Sequence, residues 1–143
     1  MFNNDNKFDF DLQYGQAGER WLRWLGTDQA KVEVKTERDI WLTTKNAVFE
    51  FRSRGEPSGI CVTKADYWSH IFMEKDQAVM VFTFRMMELR DFLALVYKNP
   101  SMYGAEVVLG GDIDPVTNEK TSGLIKLPIS QLYKVSNPYV QTN

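Results

Sequence analysis

Two residues of one alternating segment have the types and spacing needed for metal-assisted hydrolysis. In AKVEVKT, Glu33 and Lys35 are separated by a single valine. Successive side chains of a strand point to opposite faces, so in a strand this carboxylate and this ammonium lie side by side. A carboxylate binds hard divalent cations, which lower the pKa of a bound water, and a nearby lysine stabilises charge on a phosphate. The pair therefore suits hydrolysis of phosphodiester bonds.

The same pair has a simpler interpretation. The pattern Glu-x-Lys recurs by chance, and most copies are exposed ion pairs that contribute little. On that interpretation the chain is a small structural or partner-binding protein. Both interpretations stay open from these two residues alone.

Other carboxylates accompany the pair. Glu19 lies in QYGQAGERWLRWL, residues 13–25, where the apolar residues have helical spacing. Asp28 lies shortly before Glu33, close enough for a tight hairpin to bring the two together. Glu50 lies in the alternating segment NAVFEFRS, where we expect it to be half-buried.

The candidate residues lie on a series of predicted helices and strands. Val32 and Val34 are expected to face the core from the first strand, and AVMVFTF is expected to be a central strand buried on both faces. We predict one mixed β-sheet flanked by helices, an α/β fold in a single domain (13–143) after an N-terminal arm (1–12). The predicted elements are helix 13–25, strand 30–36, strand 46–53, a short strand ICV, a short helix 65–71 capped by Thr63, strand 78–84, helix 87–99 ended by Pro100, strand 105–111, and a final strand with a helical turn after Pro128.

Composition limits the alternatives. The 143 residues are 43% hydrophobic and 13% aromatic, which excludes a disordered or low-complexity chain. No apolar run is long enough to cross a membrane and no secretion signal begins the chain, so we expect a cytoplasmic protein. A single cysteine and a single histidine exclude Cys-pair zinc sites and two-His metal motifs. We expect Cys61 to be a buried thiol and His70 a hydrogen-bonded, partly buried imidazole.

Four stretches, taken in order, resemble a known family. GQAGERWLRWL, KVEVKTERD, NAVFEF and EPSGICVTKADYW are similar to small phage and bacterial endonucleases of the PD-(D/E)xK nuclease superfamily, including junction-resolving enzymes. The resemblance covers residues 13–84 and implies a restriction-endonuclease-like core. It also implies a Mg²⁺-dependent deoxyribonuclease in which Mn²⁺ substitutes, acting in the host cytoplasm if the chain is phage-encoded. The alternative is a catalytically degenerate DNA- or partner-binding protein on the same fold.

The resemblance implies a role for each matching residue. Glu33 would be a metal ligand, Lys35 the catalytic lysine and Glu19 the helix glutamate that completes the metal site. The carbonyl of Val34 would add a ligand.

The aspartate of this family is the least direct match. It usually lies further upstream than Asp28 does here. Either Asp28 takes that place in a tight hairpin, or the role has moved to Glu19 or Glu50. Glu50 would otherwise support the metal ligands from the neighbouring strand.

Several residues have both a DNA-binding and an ordinary interpretation. Ser58, Gly59 and Thr63 suit either a phosphate held by backbone N–H groups or a plain turn with a helix cap. Trp41, in a charged segment, is the aromatic residue best suited to stack on a base. A homodimer would suit an enzyme that cuts opposite strands of DNA, because two cuts need two sites. Four basic side chains are candidates for phosphate contacts or for an ordinary solvated surface: Lys45, Arg52, Arg54 and Lys64.

Overall fold

The computed structural model describes residues 30–135, and within that range seven strands form two sheets. The predicted arm 1–12 and helix 13–25, and with them Glu19 and Asp28, lie outside the described residues. The elements are β1 (Val32–Glu37), α1 (Ile40–Thr44), β2 (Asn46–Ser53), β3 (Glu56–Pro57), β4 (Tyr67–Glu74), β5 (Gln77–Arg85), α2 (Met86–Lys98), β6 (Glu106–Ile113) and β7 (Lys120–Pro128). Short 3₁₀ turns occur at Gly59–Cys61, Pro100–Tyr103 and Ile129–Lys134.

The first sheet has the order β1-β4-β5. β1 runs parallel to β4 with Glu33 opposite Trp68, and β4 runs antiparallel to β5. The predicted helix over 65–71 is therefore wrong. The large side chains of this segment, Trp68, His70 and Phe72, are buried at every second residue, which is the period of a strand and not of a helix.

β5 confirms the strand predicted over 78–84 but not its central position. Among the described strands it lies at the edge of the first sheet, and Val79 and Val81 are 46% and 57% exposed. The near-continuous apolar run resembled a strand buried on both faces. Only one face of β5 packs on the core, through Phe82 and Phe84.

The second sheet has the order β3-β2-β7-β6, with antiparallel pairing throughout. The mixed α/β class is confirmed, but the single mixed sheet is wrong for the described residues. β1 pairs with β4, whereas β2 pairs with β7. Two strands that follow each other in the sequence therefore belong to separate sheets. The strand predicted over 46–53 is confirmed as β2.

The core lies where the inner faces of the two sheets meet. The Phe49 ring of β2 is 4.8 Å from the His70 ring and 6.0 Å from the Trp68 ring, centroid to centroid. α2 confirms the helix predicted over 87–99 and ends just before Pro100, which cannot continue it. Each fully buried side chain of this size contributes about 1.5–3 kcal/mol. The buried residues of α2 are Met86, Leu89, Phe92, Leu93 and Val96.

Two predictions about single side chains are wrong. Trp41 is buried in α1, and its indole N–H donates to the Met73 carbonyl at 2.7 Å, so it cannot stack on a base. Cys61 is exposed, not buried. The segment predicted as strand ICV is a 3₁₀ turn that buries Ile60 instead.

Between residues 30 and 135, no helix combines the length and the apolar character needed to cross a membrane.

Candidate active site

A cleft of about 160 Å³ lies where β1 and β2 approach each other. Five of its lining residues are candidates from the sequence: Glu33, Val34, Lys35, Glu50 and Gly59. The remaining lining residues are Val48 and Trp68.

β1 turns its charged face toward the second sheet. Glu33 and Lys35 are exposed, and Glu37, two residues further along the same face, is buried. Val34 is 54% exposed, so the prediction that the two valines face the core is wrong for this one. The buried residue of β1 is Glu37, and Val34 lies on the opposite face of the strand.

The Glu33 carboxylate accepts a hydrogen bond from a hydroxyl of the following loop. Thr63 Oγ1 donates to Glu33 Oε2 at 3.3 Å and itself accepts from the Ala65 amide at 3.3 Å. The amide donor orients the hydroxyl toward the carboxylate. Thr63 thus contacts a predicted metal ligand and does not cap a helix.

The Glu50 carboxylate is held in the same way. Ser58 Oγ donates to Glu50 Oε1 at 2.7 Å. Glu50 is exposed, so the expectation that it is half-buried is wrong, and its carboxylate faces the cleft. Among the described residues, Glu33 Oε1 and Glu50 Oε2 accept no side-chain hydrogen bond and are available to a ligand.

The turn that carries Ser58 is fixed on both sides. Gly59 has φ +52°, and a Cβ there would lie 2.3 Å from the Glu50 carbonyl oxygen, so a residue without a side chain is required. On the other side, Arg90 of α2 donates to the Ile60 carbonyl at 2.9 Å and to the Thr63 carbonyl. The turn is therefore held between β2 and α2.

The donor set fits a hard divalent cation. In the described range no group of three or more His, Cys, Asp or Glu side chains converges, so the cleft offers the two carboxylates of Glu33 and Glu50. Mg²⁺ commonly takes one or two protein carboxylates and completes its octahedron with water and substrate phosphate oxygens. The predicted ligands Glu19 and Asp28 belong to the part of the chain that is not described.

Lys35 places a positive charge at the cleft. Its side chain is exposed and forms no ion pair with any residue from 30 to 135, Glu33 included. The surface ion pair that the simpler interpretation required is thus not observed in this range. An ammonium beside two carboxylates is placed to contact an anion that those carboxylates alone would repel.

Glu37 is the buried carboxylate of the same strand. Burial raises the pKa of its carboxyl, but hydrogen bonds from His70 and from the Val48 amide, together with the charge of Lys35, lower it by more. The net pKa lies below the ordinary value of 4.5, so this carboxyl is ionised at neutral pH. The expectation that His70 is hydrogen-bonded is confirmed, but the ring is fully buried, at 0% exposed, where partial burial was expected.

None of the four basic candidates lines the cleft. Lys45 follows α1, with its ammonium 5.9 Å from the Trp41 ring centroid, and Arg52 contacts Glu119 Oε2 at 3.3 Å. Arg54 is exposed in the turn after β2, and Lys64 is exposed beside Thr63. Their contact with DNA stays a prediction, and Lys64 directly follows Thr63, the hydroxyl donor to Glu33.

A larger cavity of about 520 Å³ lies elsewhere, between α2 and the second sheet. Its walls are mainly apolar, with Phe51, Leu93 and Tyr97 among them, and no Asp or Glu is found among its described lining residues. The smaller cleft is the candidate site because it holds the carboxylates and the lysine.

Comparison of the chain with protein-family models, with curated proteins and with solved structures found no match.

Sequence reasoning missed the polar residues that hold the carboxylates. Ser58 and Thr63 were interpreted as a turn, a cap or a phosphate site, because a hydroxyl donor across a loop leaves no spacing pattern. For Glu37 a signal existed: it continues the period-two series of Glu33 and Lys35 and therefore shares their face.

Proposed function

We propose that the protein is a metal-dependent endonuclease that hydrolyses phosphodiester bonds of DNA, with branched DNA among its candidate substrates. The observation that carries the proposal is the cleft in which Glu33, Lys35 and Glu50 meet. The resemblance to PD-(D/E)xK nucleases supports it, because the Glu33–Lys35 pair that carries the resemblance lies in this cleft. A restriction-endonuclease-like core belongs to the same proposal.

Each residue of the cleft has a chemical task. Glu33 and Glu50 would hold Mg²⁺, or Mn²⁺ in its place, through the carboxylate oxygens that accept no described hydrogen bond. When bound, the cation supplies an activated water and neutralises charge on the phosphate. Lys35 donates hydrogen bonds to the phosphate oxygens and stabilises the negative charge that develops as the bond from phosphorus to the leaving oxygen breaks.

Ser58 and Thr63 keep the carboxylates in place. Each hydroxyl donates to one oxygen, which leaves the second oxygen of the same carboxylate pointing away from the donor. Pre-oriented ligands reduce the entropy that cation binding would otherwise cost.

The first test is cleavage of a labelled four-way junction, a duplex and a single strand in Mg²⁺ and in Mn²⁺. Glu33→Ala and Lys35→Ala should each lower the cleavage rate by about 10³-fold or more, since each removes several kcal/mol of charge stabilisation. Circular dichroism should show that both variants remain folded, because both side chains are exposed.

Matched controls lie on the second sheet. Glu106→Ala removes an exposed strand glutamate, and Lys120→Ala removes an exposed strand lysine, both away from the cleft lining. Both should cleave at the wild-type rate. Folded Glu33→Ala or Lys35→Ala protein with full activity would overturn the proposal.

A second candidate function is a DNA- or partner-binding protein with a degenerate site on the same fold. The observation in its favour is that residues 30–135 supply two carboxylates to the cleft and no third acidic, His or Cys ligand. Calorimetry with Mn²⁺ separates the two candidates. A nuclease should take up the ion and lose this binding in Glu33→Ala, whereas a degenerate site should release no heat of binding.

A further inference from the structure

A buried side chain joins the two strands that carry the carboxylates of the cleft. Glu37, the last residue of β1, is 7% exposed, and its Oε1 accepts a hydrogen bond from the Val48 amide of β2 at 2.7 Å. β1 and β2 belong to different sheets, so this contact is not part of a strand ladder. It is a direct link between the sheets through a side chain.

The Glu37 carboxylate is itself held by two neighbouring residues of β4. The indole Nε1–H of Trp68 donates to His70 Nδ1 at 3.1 Å. An indole can only donate, so Nδ1 is the acceptor and the ring proton lies on Nε2. His70 Nε2 therefore donates to Glu37 Oε1, at 3.0 Å. The hydrogen bonds run in one direction, from Trp68 through His70 to Glu37, and fix the carboxylate from β4.

This arrangement adjoins the cleft. Val48 precedes Glu50 by two residues on β2, and Glu37 follows Glu33 on the same face of β1. Val48 and Trp68 also form part of the cleft wall. We propose that Glu37, held by His70 and Trp68, is a positioning residue that sets the separation of Glu33 and Glu50 and thereby determines how tightly the cleft binds a divalent cation.

This inference rests on the proposed function of the cleft. β1 is hydrogen-bonded along its length to β4, and β2 to β7 and β3, so the ladders do not fix β1 against β2. The Glu37 link adds to the apolar packing of Phe49 against Trp68 and His70, so losing it should let β1 and β2 shift locally. A shift of about 1 Å is enough to weaken a site whose ligands must converge.

Two conservative variants of Glu37 separate the effect of its side-chain length from the effect of its charge. Glu37→Gln keeps the length of the side chain and an oxygen that accepts from both Val48 and His70, but it removes the charge. Glu37→Asp keeps the charge but withdraws the oxygens by one methylene. Val96→Ala, a cavity variant at a fully buried position of α2, controls for a general loss of stability.

The measurement is the Mn²⁺ dissociation constant by calorimetry, with the cleavage rate alongside, at a temperature where all variants are folded. Glu37→Asp should weaken Mn²⁺ binding by about 10-fold or more, the usual size of the effect of a residue that orients a metal ligand. Glu37→Gln and Val96→Ala should stay within about threefold of wild type, because the first keeps the link and the second leaves it untouched.

The outcomes distinguish this inference from the proposed function. If the wild-type protein neither binds Mn²⁺ nor cleaves DNA, the proposed function fails, and this inference with it. If the wild type does both and Glu37→Asp binds as tightly as wild type, only the positioning role is overturned. The same holds if Val96→Ala weakens binding as much as Glu37→Asp, because the effect would then be one of stability.

Amide hydrogen exchange reports on the link itself, without metal or DNA. The Val48 amide should exchange faster in Glu37→Asp than in Glu37→Gln. The amide of Phe49, in the centre of the β2–β7 pairing, should change little. Equal exchange of the Val48 amide in the two variants would overturn the assignment of the Glu37 oxygen as its acceptor.

Discussion

The two ends of β1 carry the same side chain in opposite environments. Glu33 is exposed and accepts one side-chain hydrogen bond, from Thr63, among the described residues. Glu37, on the same face, is buried and accepts from both His70 and the Val48 amide. The comparison separates two uses of a carboxylate. At the exposed end an oxygen remains for a ligand, and at the buried end the oxygen is used to join two sheets.

The largest expected difference between the two ends is in stability. Glu37→Ala leaves the His70 Nε2–H and the Val48 N–H buried without an acceptor, which should cost about 2–4 kcal/mol. Glu33→Ala removes an exposed side chain and should change the free energy of unfolding by less than about 0.5 kcal/mol. Urea denaturation at pH 7 measures both. Similar losses in the two variants would contradict the comparison.

An intermediate effect is expected when Glu50 on β2, the other carboxylate of the cleft, is disturbed. Gly59→Ala adds a Cβ that would lie 2.3 Å from the Glu50 carbonyl, at a φ of +52°. The variant should lose about 1–3 kcal/mol and displace the Ser58 hydroxyl from Glu50. It should therefore weaken Mn²⁺ binding, measured by calorimetry.

Gly104→Ala is the control for that variant. Its φ of +61° imposes the same backbone strain, but the nearest atom to its Cβ, Pro128 Cγ, is at an ordinary 3.5 Å. Thermal unfolding should show a smaller loss than for Gly59→Ala, and Mn²⁺ binding should be unchanged. Equal losses would mean that strain, and not the contact with β2, accounts for the effect.

The smallest expected effect is a difference in acid sensitivity. The pKa of Glu37 is lower in the folded protein than its ordinary value of 4.5. Its charge therefore stabilises the fold fully above about pH 4.5, and this contribution is lost as the pH falls through the lowered pKa. Glu37→Gln has no carboxyl group at this position, so its stability should not include this loss as the pH falls.

The measurement is the urea midpoint of wild type and Glu37→Gln between about pH 7 and pH 3, a range that brackets the titration of carboxyl groups. The difference between the two proteins should shrink as the pH falls. Asp114→Asn is a useful comparison, because hydrogen bonds from Thr117 and Val116 lower the pKa of that exposed carboxyl as well. A constant difference between wild type and Glu37→Gln would contradict the assignment.

The parts of the fold that could be predicted were those with a local pattern. The alternation in 30–36 and 46–53 predicted β1 and β2, and the apolar spacing of 87–99 predicted α2. β4 was mistaken for a helix because Thr63 resembled a cap, although Trp68, His70 and Phe72 alternate. The division into two sheets depends on which strand pairs with which. Strand pairing is a long-range property, so the local sequence pattern does not predict it.

The candidate site was predictable to the same extent. The pairing of Glu33 with Lys35 on one face follows from the period of a strand. The approach of Glu50 and of the Ser58 hydroxyl could not be derived, because it depends on the contact between two sheets and on a turn held by Arg90. Glu19 and Asp28 stay predictions.

The parallel pairing of β1 with β4 has a consequence for how the protein folds. Parallel strands require a long crossover, and here the crossover contains β2, a strand of the other sheet that carries Glu50. Closing a loop of this length costs chain entropy before any contact compensates for it, and such contacts slow folding. Glu33 and Glu50 lie on β1 and β2, so they meet in the cleft only when the β1–β4 pairing and the second sheet are both in place. The cleft is therefore a property of the two packed sheets and of no single segment of the chain.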